Sequence, residues 1–102
     1  MKNNLENEVW KPIAGYEGLY EISNFGRVYS IPRNGTYGGI RIPYPDKDGY
    51  MRISLQKNHK KQLYGVHRLV AIAFIENDDP IGKPLVNHKD FNRENNSVDN
   101  LE

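Results

Sequence analysis

His88 stands between Asn87 and Lys89 with Asp90 beside them, and Asn92, Asn95, Asn96 and Asn100 follow before the chain reaches Leu101. An imidazole titrates close to neutrality and can take a proton from water, while carboxylate and amide oxygens suit a hard divalent cation such as Mg²⁺. That mixture of side chains points to activation of water at a phosphodiester. The competing reading is an irregular loop of Asx turns, because asparagine and aspartate readily hydrogen-bond their own backbone. Asp90 has both roles open to it.

Such residues need a frame, and the preceding chain supplies signals for one. Residues 19–23 and 27–31 read as short strands about Asn24-Phe25-Gly26, where asparagine and glycine tolerate the backbone of a tight hairpin. Pro32 to Pro45 reads as a loop with a short strand near Ile40. From Tyr50 to Gln56 the chain alternates, with Met51, Ile53 and Leu55 on one face and Tyr50, Arg52, Ser54 and Gln56 on the other. Lys57 to Lys61 is a polar turn, and Gln62 to Val66 returns as the partner strand. Val66, Leu69, Val70, Ala73 and Phe74 then fall on one face of a helix that Asn77-Asp78-Asp79-Pro80 ends. The expected fold class is α+β, with small antiparallel β-hairpins, one central helix and the asparagine-rich segment after it. Residues 1–8 are polar and expected to fray.

A chain of 102 residues without cysteine is one small domain, free of disulfides and thiolate zinc sites. No apolar run approaches the roughly 20 residues of a membrane span, so a cytoplasmic protein without a membrane partner is expected. The net charge of +1 conceals an uneven distribution. Between Ile22 and Ile75, nine basic side chains (Arg27, Arg33, Arg41, Lys47, Arg52, Lys57, Lys60, Lys61 and Arg68) face only Asp46 and Asp48, and both ends are acidic. A basic centre interleaved with Tyr29, Tyr37, Tyr44, Tyr50 and Tyr64 suits a phosphate backbone, against the simpler reading of a solvated lysine-rich surface. Arg27, Arg33, Arg41, Arg52, Lys57, Lys60, Lys61 and Arg68 are the expected contacts to double-stranded DNA. His67 reads as structural or phosphate-facing, and His59 as a solvated hairpin tip.

The chain resembles the phage-type HNH homing endonucleases that begin with a nuclease-associated modular DNA-binding element. Glu8-Val9-Trp10-Lys11-Pro12-Ile13, Gly15 through Asn24 and Gly26 through Ser30 look like that element. Asp48-Gly49-Tyr50 and Val66-His67-Arg68-Leu69-Val70-Ala71 with Phe74 look like the connecting region, and Val86 through Leu101 like the first part of the HNH motif. The resemblance divides the chain into residues 9–45, the DNA-binding element, and 46–102, part of a ββα-metal (HNH) domain folded with it as one unit. It implies hydrolysis of DNA with a single divalent cation, Mg²⁺ or Mn²⁺, in a phage or bacterial host cell. His88 would be the general base, Asn87 a metal ligand and Asn100 a structural brace of the motif; Asp90 offers a second oxygen to the metal, although the turn reading is the stronger one for it.

The chain departs from the family at three places. The ligand before the base is most often aspartate, whereas Asn87 offers a neutral amide oxygen. A glycine of the family turn is replaced by Phe91. The second strand and the helix with the last ligand follow the position of Leu101 in the family, which would leave residues 86–88 without their hairpin partner. Residues 1–102 are therefore expected to bind DNA and to cut it weakly or not at all. The alternatives are a DNA-binding module without chemistry and a phage-encoded protein that inhibits a host defence nuclease.

Overall fold

Side-chain oxygens and positive-φ residues, rather than long connections, fold the first half of the chain back on itself. A computed structural model describes residues 4–33, 35, 37–75, 88–89 and 95–101. Strands β1 (Trp10–Pro12), β2 (Tyr20–Ser23), β3 (Val28–Ser30) and β4 (Gly39–Arg41) form an antiparallel sheet in that order. The β2–β3 turn is held by Ser23, whose Oγ accepts from the backbone N–H groups of Phe25 and Arg27, both at 3.1 Å. Gly26 completes the turn at φ +85°, a backbone that L side chains rarely adopt.

A second antiparallel sheet contains β5 (Tyr44–Pro45), β6 (Met51–Lys57) and β7 (Lys60–Gly65). Asp46 clasps the turn into β6: its Oδ1 accepts from the backbone of Asp48 at 2.8 Å and of Tyr50 at 3.1 Å. The β6–β7 hairpin closes with only Asn58 and His59, at φ 52° and 64°. Two positive φ values are the signature of a type I′ turn, whose twist matches that of the flanking strands.

Helix α1 (Val66–Phe74) follows β7 without a connecting loop, Gly65 serving as its N-cap. The helix lies against β2, β6 and β7 and meets a single 3-10 turn at Val98–Asn100. Tyr20, Ile22 and Val28 from the first sheet join Ile53 and Leu55 from the second, Val66, Leu69 and Val70 from α1, and Leu101. Both sheets thus share one core, and the Tyr20 hydroxyl ties them further by accepting from the Gln56 N–H at 3.1 Å.

The α+β class holds, with two small sheets and one helix among the described residues. Strands β1 and β5 were not expected from their residues. Three residues reading Trp-Lys-Pro carry no usable alternation, and their strand geometry comes from pairing with Ser23, Ile22 and Glu21. Strand β7 begins at Lys60 rather than Gln62, because the turn needs two residues and not five. The helix end expected at 77–80 lies outside the described residues. Among the described residues no helix is long and apolar enough to cross a membrane.

Candidate active site and nucleic-acid interface

His88 is buried, at 8% exposure, and forms an antiparallel bridge to Leu101. The Lys89 N–H donates to the Asn100 carbonyl at 2.7 Å beside it. His88 thus has a backbone partner at this one position, because the chain returns through the 3-10 turn and Leu101 enters the core, while residues 86–87 of the strand expected to lack a partner lie outside the described residues. The His88 Nε2 lies 2.8 Å from Asn96 Oδ1. An amide oxygen only accepts, so Nε2 is the donor in this contact. Among the described residues of the asparagine run, Asn96 is hydrogen-bonded to the imidazole, and composition alone could not single it out.

Asn96 is placed from the first sheet. A side chain on Gly26 would stand 2.9 Å from the Asn96 Cβ, so only a glycine allows this approach. The Val98 N–H donates to the Asn24 carbonyl at 2.7 Å, fastening the 3-10 turn to the β2–β3 turn. Asn100, on that 3-10 turn, donates from Nδ2 to the Asn95 carbonyl at 2.9 Å.

His67 and Tyr50 complete a cluster of three rings. The His67 and His88 centroids are 5.3 Å apart, those of Tyr50 and His67 5.2 Å, and those of Tyr50 and His88 6.1 Å. His67 is 6% exposed, and its Nδ1 is buried with no hydrogen-bond partner. Burial, reinforced by His88, Arg68 and Arg52, pushes its imidazole from the ordinary 6.5 down to about 4. The sequence reading of His67 as structural or phosphate-facing missed this contact with His88. The signal was present only as a histidine on the first turn of an amphipathic helix.

Asn87 and Asp90 lie outside the described residues, as does Phe91. Among the described residues no three His, Cys, Asp or Glu side chains converge as a metal site, so no ligand set is complete there.

The eight basic residues expected at DNA fall into distinct settings. Arg27 pairs with Glu8 at 3.3 Å and lies 5.6 Å over the Trp10 ring. Arg33 donates from Nη1 to the carbonyls of Leu19 at 3.2 Å and Ile31 at 2.9 Å, and sits 5.1 Å over the Tyr20 ring. Both guanidinium groups therefore brace the first sheet. Arg52 donates to Asp46 Oδ2 at 2.8 Å, a bond that is the main cause of the lowered Asp46 pKa. Lys57 donates to the Gly15 carbonyl at 2.7 Å. Arg41, Lys60, Lys61 and Arg68 are exposed.

Directly paired residues share a face of a sheet. The pairs Tyr44–Arg52, Arg52–Gly65, Ser54–Leu63 and Gln56–Lys61 therefore line the side of the second sheet opposite buried Ile53 and Leu55. A side chain on Gly65 would meet the His67 Cε1 at 2.8 Å, so the histidine cluster stands at the end of this outward face.

Known proteins share the fold of this chain. A NUMOD4 motif matches residues 8–56. Two uncharacterized HNH endonucleases of Acanthamoeba polyphaga mimivirus are 42% and 36% identical over 93 and 100 residues, covering 91% and 95% of this chain but 26% and 24% of those proteins. The chain is a homologue of the HNH endonucleases that carries a NUMOD4 motif. Among its relatives is DNA endonuclease I-HmuI of Bacillus phage SP01, 49% identical over 92 residues, which cover 90% of this chain and 49% of that protein. The structure solved for DNA binding and cleavage by the HNH homing endonuclease I-HmuI superposes with a TM-score of 0.78 at 45% identity, covering 91% of this chain and 50% of that one. The chain thus spans about half the length of I-HmuI and a quarter of the mimivirus relatives.

Proposed function

We propose that this chain binds double-stranded DNA along the outward face of β5, β6 and β7, and presents His88 as the general base for hydrolysis of a phosphodiester. The observation that carries the reading is the state of His88. Its ring is buried, its Nε2 is engaged by Asn96, and it packs on His67, which sits against Gly65 at the end of a face bearing Arg52 and Lys61. An imidazole held in place through one ring nitrogen suits removal of a proton from water by the other. The homology to I-HmuI supports the same chemistry, as does the NUMOD4 motif upstream.

A divalent cation, Mg²⁺ or Mn²⁺, would be held by oxygens of Asn87 and Asp90 and would supply charge neutralisation at the phosphate. The Asn87 amide is neutral, and Mg²⁺ gives up its water reluctantly to weak donors. Residues 1–102 therefore bind DNA and nick it slowly. The same neutral amide favours the second reading, a DNA-binding module without chemistry. Such work on DNA belongs in the cytoplasm of the host cell.

The test pairs duplex binding with nicking of supercoiled plasmid in Mg²⁺ or Mn²⁺. Binding with slow nicking that disappears in His88→Ala, at unchanged DNA affinity, is expected. Nicking that persists in His88→Ala overturns the assignment of the base, and binding without any nicking leaves the second reading.

A further inference from the structure

We propose that His67 is a positioning residue for His88: its ring, seated on the bare α-carbon of Gly65 and leaning on Tyr50, holds the plane of the His88 imidazole while Asn96 holds its tautomer. The proposal rests on His88 as the base and deepens that reading. One hydrogen bond from Nε2 leaves the imidazole free to rock about the N–H···O axis. The His67 ring, at 5.3 Å and inclined by 52°, and the Tyr50 ring, at 6.1 Å and 42°, oppose that motion from the side.

Position 65 provides the independent observation. Gly65 has φ −77° and ψ 129°, an extended backbone open to any residue, so its glycine is not required by conformation. It is required by space. An ideal Cβ there would stand 2.8 Å from His67 Cε1, 3.2 Å from His67 Nδ1 and 3.3 Å from Arg52 Nη1. The missing methyl is the seat of the His67 ring, and Arg52, anchored on Asp46, closes its flank. Tyr50, 5.2 Å away and inclined by 33°, holds the ring from another side. His67 remains uncharged at neutral pH, so it steadies the neighbouring base without placing a positive charge beside it. Its unmet, buried Nδ1 shows that the ring is held there by packing and not by a hydrogen bond of its own at that nitrogen.

Residues 1–102 at pH 7 allow a direct test by long-range ¹H–¹⁵N spectra of the imidazoles. The readout is the His88 Nε2 proton, which is protected by burial and its bond to Asn96. His67→Ala is expected to speed exchange of this proton about tenfold or more, and His67→Phe, which restores a flat ring, to recover most of the protection. Gly65→Ala keeps both histidines and displaces only the seat, so it should behave as His67→Ala does. Where nicking is measurable, kcat falls about tenfold and KM holds within about twofold, the signature of a lost alignment. Unchanged protection of the His88 proton in both His67→Ala and Gly65→Ala overturns the proposal. Should His67→Ala fail to fold, Gly65→Ala decides. This readout does not depend on DNA cleavage, so it separates failure of the positioning role from failure of His88 as the base.

Discussion

A buried imidazole without a partner loses proton affinity, and His67 carries that cost into the stability of the whole chain. Unfolded, it takes a proton below about 6.5; folded, only near 4. Between those values the unfolded chain binds more protons, so stability falls as pH is lowered through this window and is fully present above it. At about 1.4 kcal/mol for each unit, the complete effect is about 3 kcal/mol. The urea midpoint should drop between pH 7 and pH 4.5, and His67→Phe should flatten most of that slope. A flat wild-type profile would mean that His67 is solvated. Gly26 gives a second residue-level expectation. Its φ of +85° and the Asn96 Cβ at 2.9 Å oppose any side chain, so Gly26→Ala should lose about 2 kcal/mol or more in thermal denaturation. The same change should disturb the His88 ring signals, because Asn96 must move.

At the level of elements, the β6–β7 hairpin combines a tight turn with a cluster of cations. Lys57 and Lys60 oppose each other across the last pair, and Lys61 lies on the outward face beside Gln56. Replacing Lys57, Lys60 and Lys61 together should weaken duplex binding. It should also reduce the slope of log affinity against log salt by about 0.9 for each phosphate that the variant no longer neutralises. An identical salt slope in the triple variant would remove the hairpin from the interface. The turn itself is open to improvement: His59 holds φ 64°, where glycine is favoured in a type I′ turn. His59→Gly should raise stability by about 0.5 to 1 kcal/mol, read as a shift in the denaturant midpoint.

At the scale of the molecule, one core serves both sheets, the helix and the end of the described chain. Leu55 is fully buried in it together with Tyr20 from the first sheet and Leu101 beside the candidate site. Leu55→Ala should cost about 2 to 5 kcal/mol. Fluorescence of Trp10, at the edge of the first sheet, and the ring signals of His88 should then melt together in a single transition. Two separate transitions would show that the sheets fold as independent units.

Local patterns were legible in the residues because local spacing produces them. The Asn24-Phe25-Gly26 turn, the alternation of Met51, Ile53 and Leu55, and the helical face of Val66, Leu69 and Val70 all depend on neighbours a few positions away. His88 stood out as a candidate for a related reason, since its flanking asparagines and the resemblance to HNH enzymes are written in consecutive residues. Strands β1 and β5 were not legible, being too short to show a period and defined by their partners. Arg27 and Arg33 could be counted as charges, but their meeting with Glu8 and with the Leu19 carbonyl could not be read from the residues around them. The choice of Asn96 among several asparagines, and the meeting of His67 with His88, depend on Gly26 and Gly65 leaving space at particular points. The sequence alone therefore determined the fold class, the candidate base and the basic centre, through composition and short-range period. Which polar groups touch that base was decided only by the tertiary structure, because such contacts follow from packing between segments far apart in the chain.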